Sequence, residues 1–414
     1  MSEIQAPRGT FDVLPPSASA YQRVEDTARS VLERAGYGRI ATPTFESTEL
    51  FARGVGESTD IVRKEMYSFD DGGGRSLTLR PEGTASICRA YVEHGMHKLQ
   101  QPVKFWYSGA FYRHEAPQAG RYRQFHQIGA EAFGTANPEL DAEIITLLAE
   151  LLESLGVANT TLRLGTLGAG VARERHRELL VKYLRQHESR LSKEVRDRID
   201  LNPLRAFDSS DPGTIKVMEA APLLIDSLDS DDVEHFETVC ELLTSAGVDH
   251  VRDPRLVRGL DYYTRTVFEF SSSVLGAQSG VGGGGRYDRL VEMIGGPDTP
   301  AIGWAAGVER IILAAGIAES PVTGCDLLVV VPDRSQLADG QRLASEARAA
   351  GFAARLELSG RSVKAALKHA DRVGARAVAL IEPDGVSLKD MATGAQEIHP
   401  DTSSLLAALD RRPA

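Results

Sequence analysis

The feature that most limits how this chain can fold is a polar hairpin, "FYRHEAPQAGRYRQFHQIGAE" (Phe111–Glu131). A strand carrying Arg113 and Glu115 enters a loop with Pro117 and Gly120, and a second strand leaves it. On the return strand Phe125, Gln127, Gly129 and Glu131 fall on one face at period two, and Ile128 and Ala130 fall on the other. The second face suits a core. The first sets an aromatic plate, an amide and a carboxylate in a row, with Arg113 available across the hairpin. Burying ionised groups is costly unless they are paired or bound. The hairpin is therefore either a solvated ribbon or the wall of a site for a polar ligand, and arginine's planar, permanently charged fork suits a phosphate.

A second stretch poses the same choice. "RGLDYYTRTVFEF" (Arg258–Phe270) reads as a strand in which Val267, Phe268 and Phe270 are ordinary filling, yet it crowds in two arginines, an aspartate, a glutamate and two tyrosines. The run "GVGGGG" (Gly280–Gly285) follows. It matches G-x-G-x-x-G formally, but that fingerprint must end a strand and open a helix in a parallel βαβ unit, and "RYDRLVEMI" offers no such frame. A backbone stripped of side chains for a flat ligand and a flexible surface loop both account for it. "AIGWAAGVERIIL" (Ala301–Leu313) is an apolar strand followed by a helix with Glu309 and Arg310, and a buried, ion-paired helix is its plain reading. "LRPEGTAS" (Leu79–Ser86) is a strand ending in an acidic turn, which a helix N-terminus explains equally well.

The 414 residues allow two or three domains at roughly 150 residues each. With 42% hydrophobic and 25% charged residues, a large core can be buried. No apolar run approaches the roughly 20 residues needed to span a bilayer. "MSEIQAPRGTFDVLPP" lacks the basic flank and apolar centre of a secretory signal. Cys88, Cys240 and Cys325 are isolated, with no CxxC pair, which argues for a reducing compartment and against a zinc site or disulfide framework. The expected location is the cytoplasm, with no protein-bound metal. The net charge of −11 disfavours whole-surface nucleic-acid binding. From Asp326 onward 12 acidic residues balance 12 basic ones, so the rest of the chain carries the whole imbalance and a nucleic-acid partner must use local patches.

Residues 17–35 read as an amphipathic helix, and helices are expected at 139–155 and 306–316 around antiparallel strands. "DDGGG" (Asp70–Gly74) is a turn between the strands "EMYSF" and "SLTLR". Residues 166–250 are charged and helical and read as an insertion, so the strand-rich core comprises 1–165 and 251–323. From 324 to 414 strands and helices alternate as in a small α/β domain, with helices expected at 336–350 and 362–374.

Together these motifs resemble the class II aminoacyl-tRNA synthetases. "YRHEAPQAGRYRQFHQ" is similar to their motif 2, "AIGWAAGVERIIL" to motif 3 and "YGRIATPTFE" to the motif 1 region. Within the class, "RGLDYYTRTVFEF" and "GGGGRYD" resemble the two signature segments of the histidyl-tRNA synthetase family, which "NPLRAFDS" (Asn202–Ser209) and "SLKDMATGAQE" also fit. The resemblance covers nearly the whole chain.

It implies an α+β fold: a six- or seven-stranded antiparallel sheet flanked by helices, a helical insertion, and a C-terminal α/β domain that binds the anticodon region. It further implies a homodimer with motif 1 at the interface. The implied reaction joins L-histidine and ATP, with Mg2+, into histidyl-adenylate and pyrophosphate, then moves the histidyl group to the 3′ end of tRNA(His). On matched positions, Arg113 and Arg258 would hold the α-phosphate, Glu115 and Phe125 the adenine, and Arg310 the γ-phosphate. Glu82, Gly83 and Thr84 would receive the α-amino group and Gln127 the carboxylate end, with Arg113, Gln127 and Arg258 acting in catalysis. Glu131 and Tyr263 would bracket the imidazole, with Tyr262 beside them. For tRNA the expected contacts are Gln118 and Arg121, and a stripe of Arg361, Lys364, Lys368 and Arg372 on the helix expected at 362–374. The alternative is a non-catalytic regulatory subunit of ATP phosphoribosyltransferase. Such paralogues typically lack parts of the catalytic set and the C-terminal domain, and all of these are present here. A general nucleic-acid-binding module leaves the pocket residues unexplained.

Overall fold

The computed structural model describes residues 3–56, 59–276, 279–319, 324–382 and 385–410. The chain divides into two compact units, one of residues 1–14 and 20–318, the other of residues 15–19 and 319–414. The first is built on an eight-stranded sheet. Its order is Gly38–Arg39, Val103–Tyr112, Gln124–Phe133, Ala301–Gly307, Gly280–Arg286, Thr264–Ser272, Thr160–Thr166 and His250–Arg252. The six inner strands pair antiparallel, and each two- or three-residue edge strand adds a parallel partner. These edges carry the sheet one strand beyond the expected six or seven.

One face of the sheet holds the main core. Trp106, Ile128, Ala130, Phe268, Phe270 and Trp304 point there and meet Val24, Ala28 and Leu32, together with the helix Pro138–Ser154. That helix starts with a proline in its first turn, a position where the missing N–H costs nothing. Its Leu140, Ile144, Leu147, Leu148 and Leu151 follow helical spacing into the core. The opposite face carries a second, aromatic cluster that includes Tyr107, Phe111, Phe133, Tyr262, Tyr263 and Tyr287. A separate three-stranded antiparallel sheet, Phe45–Ser47, Ser76–Leu79 and Tyr67–Asp70, leaves Phe45 and Phe69 half-exposed with ring centroids 6.3 Å apart.

The helical segment expected over 166–250 divides in two. Helices from Gly170 to Met218 form their own small core around Leu180, Leu184, Val195, Ile199 and Val217. The helix Ser230–Ser245 instead returns to the main core with Phe236, Val239, Cys240 and Leu243, and His250–Arg252 rejoins the sheet. The charged surface of Ser230–Ser245 hid a stripe of core residues. Arg258–Phe270 also differs from the expected continuous strand. Strand pairing begins at Thr264, and residues 258–263 form a loop. Arg265 has φ +41°, and its N–H donates out of the ladder to the Gly168 carbonyl.

The second unit has a five-stranded sheet ordered Ala354–Leu356, Cys325–Val330, Ala375–Glu382, Gly385–Asp390 and Gln396–His399, with its first three strands parallel. Helices Leu337–Ala349, Val363–Arg372 and Thr402–Asp410 accompany it. Lys364, Lys368 and Arg372 lie exposed on Val363–Arg372. Arg361 precedes that helix and is tied to Glu357 at 2.8 Å, so it stands apart from the expected stripe.

The first unit's core encloses a buried ionic knot. Arg286 and Asp141 are both fully buried, with Nη2 2.6 Å from Oδ1, and Asp141 Oδ2 accepts from His235 (2.8 Å) and Thr266 (2.6 Å). Removing one partner of such a pair strands the other charge. Asp141→Ala should therefore cost about 3–5 kcal/mol in urea unfolding, and Asp141→Leu with Arg286→Met should recover most of it. Equal losses in both variants would show that the charge pairing is not what the site depends on.

Candidate active site

The polar residues of the hairpin and of the 258–270 segment converge on the aromatic face of the sheet. A cleft of about 700 Å3 is lined by Arg113, Glu115, Phe125, Glu269 and Arg310, among others. A second hollow of about 420 Å3 adjoins it, lined by Glu82, Thr84, Tyr107, Tyr262, Tyr263 and Tyr287. Arg113, Gln127 and Arg258 border both, so one continuous site has a wide end, a narrow end and cations at the junction.

Each side chain has a local reason for its place. Arg113 leaves the hairpin strand, donates from Nε to the Pro81 carbonyl (2.8 Å) and lies over the Phe125 ring at 5.4 Å. Glu115 sits 3.7 Å from Arg113 and 3.3 Å from Arg121. Arg121 and Gln118 close the loop by reciprocal backbone hydrogen bonds, and both side chains are exposed. Arg258 pairs closely with Glu269. Arg310 borders the wide end from the helix Val308–Ala315. Its neighbour Glu309, read in the sequence as part of a buried, ion-paired helix, anchors that helix to the hairpin by accepting from the His126 N–H at 2.9 Å and lying 3.0 Å from His126 Nδ1.

The acidic turn is both cap and pocket wall. Glu82 accepts from the backbone N–H groups of Thr84 (2.8 Å) and Ala85 (2.9 Å), at the start of the helix Thr84–Glu93, while its carboxylate borders the narrow hollow. Burial raises its pKa, opposed by those N–H groups and by Arg113.

Glu131 departs from the expected arrangement. It is fully buried behind the narrow hollow, not on its surface, and both oxygens are engaged. Oε1 accepts from the Thr84 hydroxyl at 2.6 Å, and Oε2 accepts from the Tyr287 hydroxyl. Tyr287, in "GGGGRYD", had been given no role. Neither had Tyr107, whose ring fills the space above Gly129, its partner across the hairpin. The Tyr107 hydroxyl gives no signal in the sequence, because a tyrosine in an apolar run reads as core, and Tyr287 stands between Arg286 and Asp288 with no period to assign it a face.

The glycines are explained by close approach. A Cβ on Gly303 would fall 1.6 Å from Glu131 Oε2, and one on Gly283 would fall 2.5 Å from the Phe268 carbonyl and 3.0 Å from Arg258 Nη2. "GVGGGG" is thus a central strand kept bare so that its neighbours and the site's charged groups can press against it.

Burial drives the Glu131 pKa up from 4.5 to about 8, against the two hydroxyl bonds, with Glu82 adding to the rise. Between those values the folded protein holds a proton that the unfolded chain has released, so this group's contribution to stability falls as pH rises. Replacing Glu131 with Gln removes the titration. The stability advantage of Glu131→Gln over the native protein should therefore grow from pH 4.5 to about 8 and level off above it, read as urea midpoints. Parallel curves would mean that Glu131 is already ionised in the native state.

Comparison with known proteins agrees with this geometry. The family model described as Histidyl-tRNA synthetase matches residues 9–311. The Histidine--tRNA ligase of Synechococcus elongatus is 48% identical, covering 99% of this chain and 95% of that protein. That of Rubrobacter xylanophilus is 46% identical over 94% and 95%. The apo histidyl-tRNA synthetase of S. aureus superposes with a TM-score of 0.83 at 32% identity, covering 99% of this chain and 100% of that one. A Bacillus halodurans protein described as an ATP phosphoribosyltransferase regulatory subunit/histidyl-tRNA synthetase shares the fold, with a TM-score of 0.64 at 23% identity over 89% and 97%. The chain belongs to the histidyl-tRNA synthetase family.

Proposed function

We propose that this protein is a histidine–tRNA ligase. It joins L-histidine to ATP, releasing pyrophosphate, and passes the histidyl group to the 3′ end of tRNA(His), releasing AMP. The observation that carries this reading is the continuous cleft with Arg113, Gln127 and Arg258 at its junction. A bond between a carboxylate and an α-phosphate forms only where an amino-acid subsite meets a nucleotide subsite.

In the narrow end Glu82 and Thr84, with the bare backbone of Gly83, receive the α-ammonium group. Glu131 accepts a ring N–H once a hydroxyl of Thr84 or Tyr287 turns aside, Tyr263 meets the other ring nitrogen and Tyr262 packs beside it. Neutral imidazole offers one donor and one acceptor, so a pocket satisfying both rejects apolar side chains. In the wide end Phe125 stacks the adenine, Glu115 reads its edge and Arg310 pairs with the γ-phosphate. ATP enters as its Mg2+ complex, the metal neutralising the β- and γ-phosphates. Arg113 and Arg258 face the α-phosphate, where negative charge builds as the carboxylate attacks. Fixed cations stabilise that charge without reorganising.

For tRNA, the exposed Gln118 and Arg121 stand at the mouth of the cleft and take the acceptor end. Lys364, Lys368 and Arg372 take phosphates near the anticodon, and Arg361 contributes little because Glu357 holds it. The half-exposed pair Phe45 and Phe69 supports a homodimer interface at the three-stranded sheet. Among the described residues no helix is long and apolar enough to cross a membrane, and the three cysteines are free and buried, which supports a cytoplasmic location. The near-complete coverage of curated ligases favours this activity over a regulatory subunit.

The test is histidine-dependent pyrophosphate exchange with magnesium, followed by charging of tRNA(His). Lys364→Glu with Lys368→Glu should raise the KM for tRNA and flatten its salt dependence while exchange stays intact. Histidine binding with no exchange would contradict the reading.

A further inference from the structure

The loop 258–263 carries Arg258, Tyr262 and Tyr263, yet it lies outside the sheet's ladder. A loop without a ladder opens and shifts more easily than a paired strand. The core holds it by the Asp261 N–H bonded to the Val55 carbonyl at 3.4 Å, by the Arg258–Glu269 pair and by the buried rings of Tyr262 and Tyr263, and the insertion adds three further contacts. Asn202 Nδ2 donates to Asp261 Oδ1 at 2.6 Å. Arg205 Nη1 reaches the Arg258 carbonyl at 3.5 Å. Arg173, on the helix Gly170–Gln186, donates to the Tyr263 carbonyl.

The insertion is itself seated firmly on the core. Arg198 is 8% exposed and makes two bonds to Asp60, at 2.6 and 3.3 Å, with Arg205 3.8 Å from the same carboxylate. The turn Pro203–Asp208 places Arg205 and Asp208 on the wall of the active-site cleft. The segment "NPLRAFDS" thereby acquires a task that its sequence did not suggest.

We infer that the insertion braces the Arg258 loop, with Asn202 and Arg173 as positioning residues, so that docking of the insertion sets the rate of adenylate formation. This rests on the role given to Arg258 above. Asn202 lines neither end of the cleft. Its loss lets the loop shift, so that Arg258 drifts from the α-phosphate and Tyr262 and Tyr263 move with it, and a displacement of about 1 Å can cost about a hundredfold in rate.

A double-mutant cycle tests this by pyrophosphate exchange, with thermal melting of each variant as a control. Asn202→Ala should lower kcat by about tenfold or more while the KM for ATP moves by less than about threefold. In an Arg258→Ala background the same change should matter by less than about twofold, because its effect runs through that arginine. If Asn202→Ala does not fold, Arg173→Met keeps the side-chain volume while deleting the donor to Tyr263, and the same pattern is expected. Equal factors in both backgrounds, or no effect in the native background, would overturn the brace. Arg258→Ala exchanging at the native rate would remove the role of Arg258 itself, and the brace with it.

Discussion

The hydrogen bonds into the Glu131 carboxylate connect the parts on which this site depends. Glu131 lies on the hairpin strand, Thr84 opens the helix after the acidic turn, and Tyr287 follows the glycine strand. Three segments far apart in sequence thus meet at one buried carboxyl group. The meeting is possible only because the neighbouring strand is bare at Gly303, where a methyl group would overlap a carboxylate oxygen. Burial of an acid in this way is expensive unless its oxygens are hydrogen-bonded, and here both are. The same burial raises its pKa.

From that floor the cleft grades from aromatic and acidic to cationic. Tyrosines crowd the narrow end, Arg113 and Arg258 stand at the junction and Arg310 borders the wide end. The charges are restrained by protein partners: Arg258 by Glu269, and Arg113 by the Pro81 carbonyl and Glu115. Cations preset in this way can stabilise a developing negative charge without a further cost of orientation. The insertion also contacts the loop 258–263, through Asn202 and Arg173.

Much of this was legible in the sequence because it follows from period and charge. The alternation of Phe125, Gln127, Gly129 and Glu131 against Ile128 and Ala130 placed both faces of the hairpin strand correctly. The arginines were legible because buried cations require a partner. Contacts between distant segments were not. Ser230–Ser245 reads as a charged helix, and only packing shows that Phe236, Val239 and Leu243 belong to the main core. Tyr107 looks apolar in one dimension, Tyr287 sits between two charged residues, and the burial of Glu131 behind the pocket depends on strand neighbours that no local spacing encodes. Arg265, with its positive φ, breaks the register inside the observed strand, its N–H turned to the distant Gly168 carbonyl.

The central claim is that one cleft receives the amino acid at its tyrosine end and the nucleotide at its arginine end. The most direct measurement is a crystal structure with a non-hydrolysable histidyl-adenylate analogue. The expected result places ring nitrogens within about 3 Å of Glu131 and Tyr263, and the phosphate-mimicking group within about 3 Å of Arg113 and Arg258. An analogue whose ring lies away from Glu131, or whose phosphate position is out of reach of both arginines, would contradict the account.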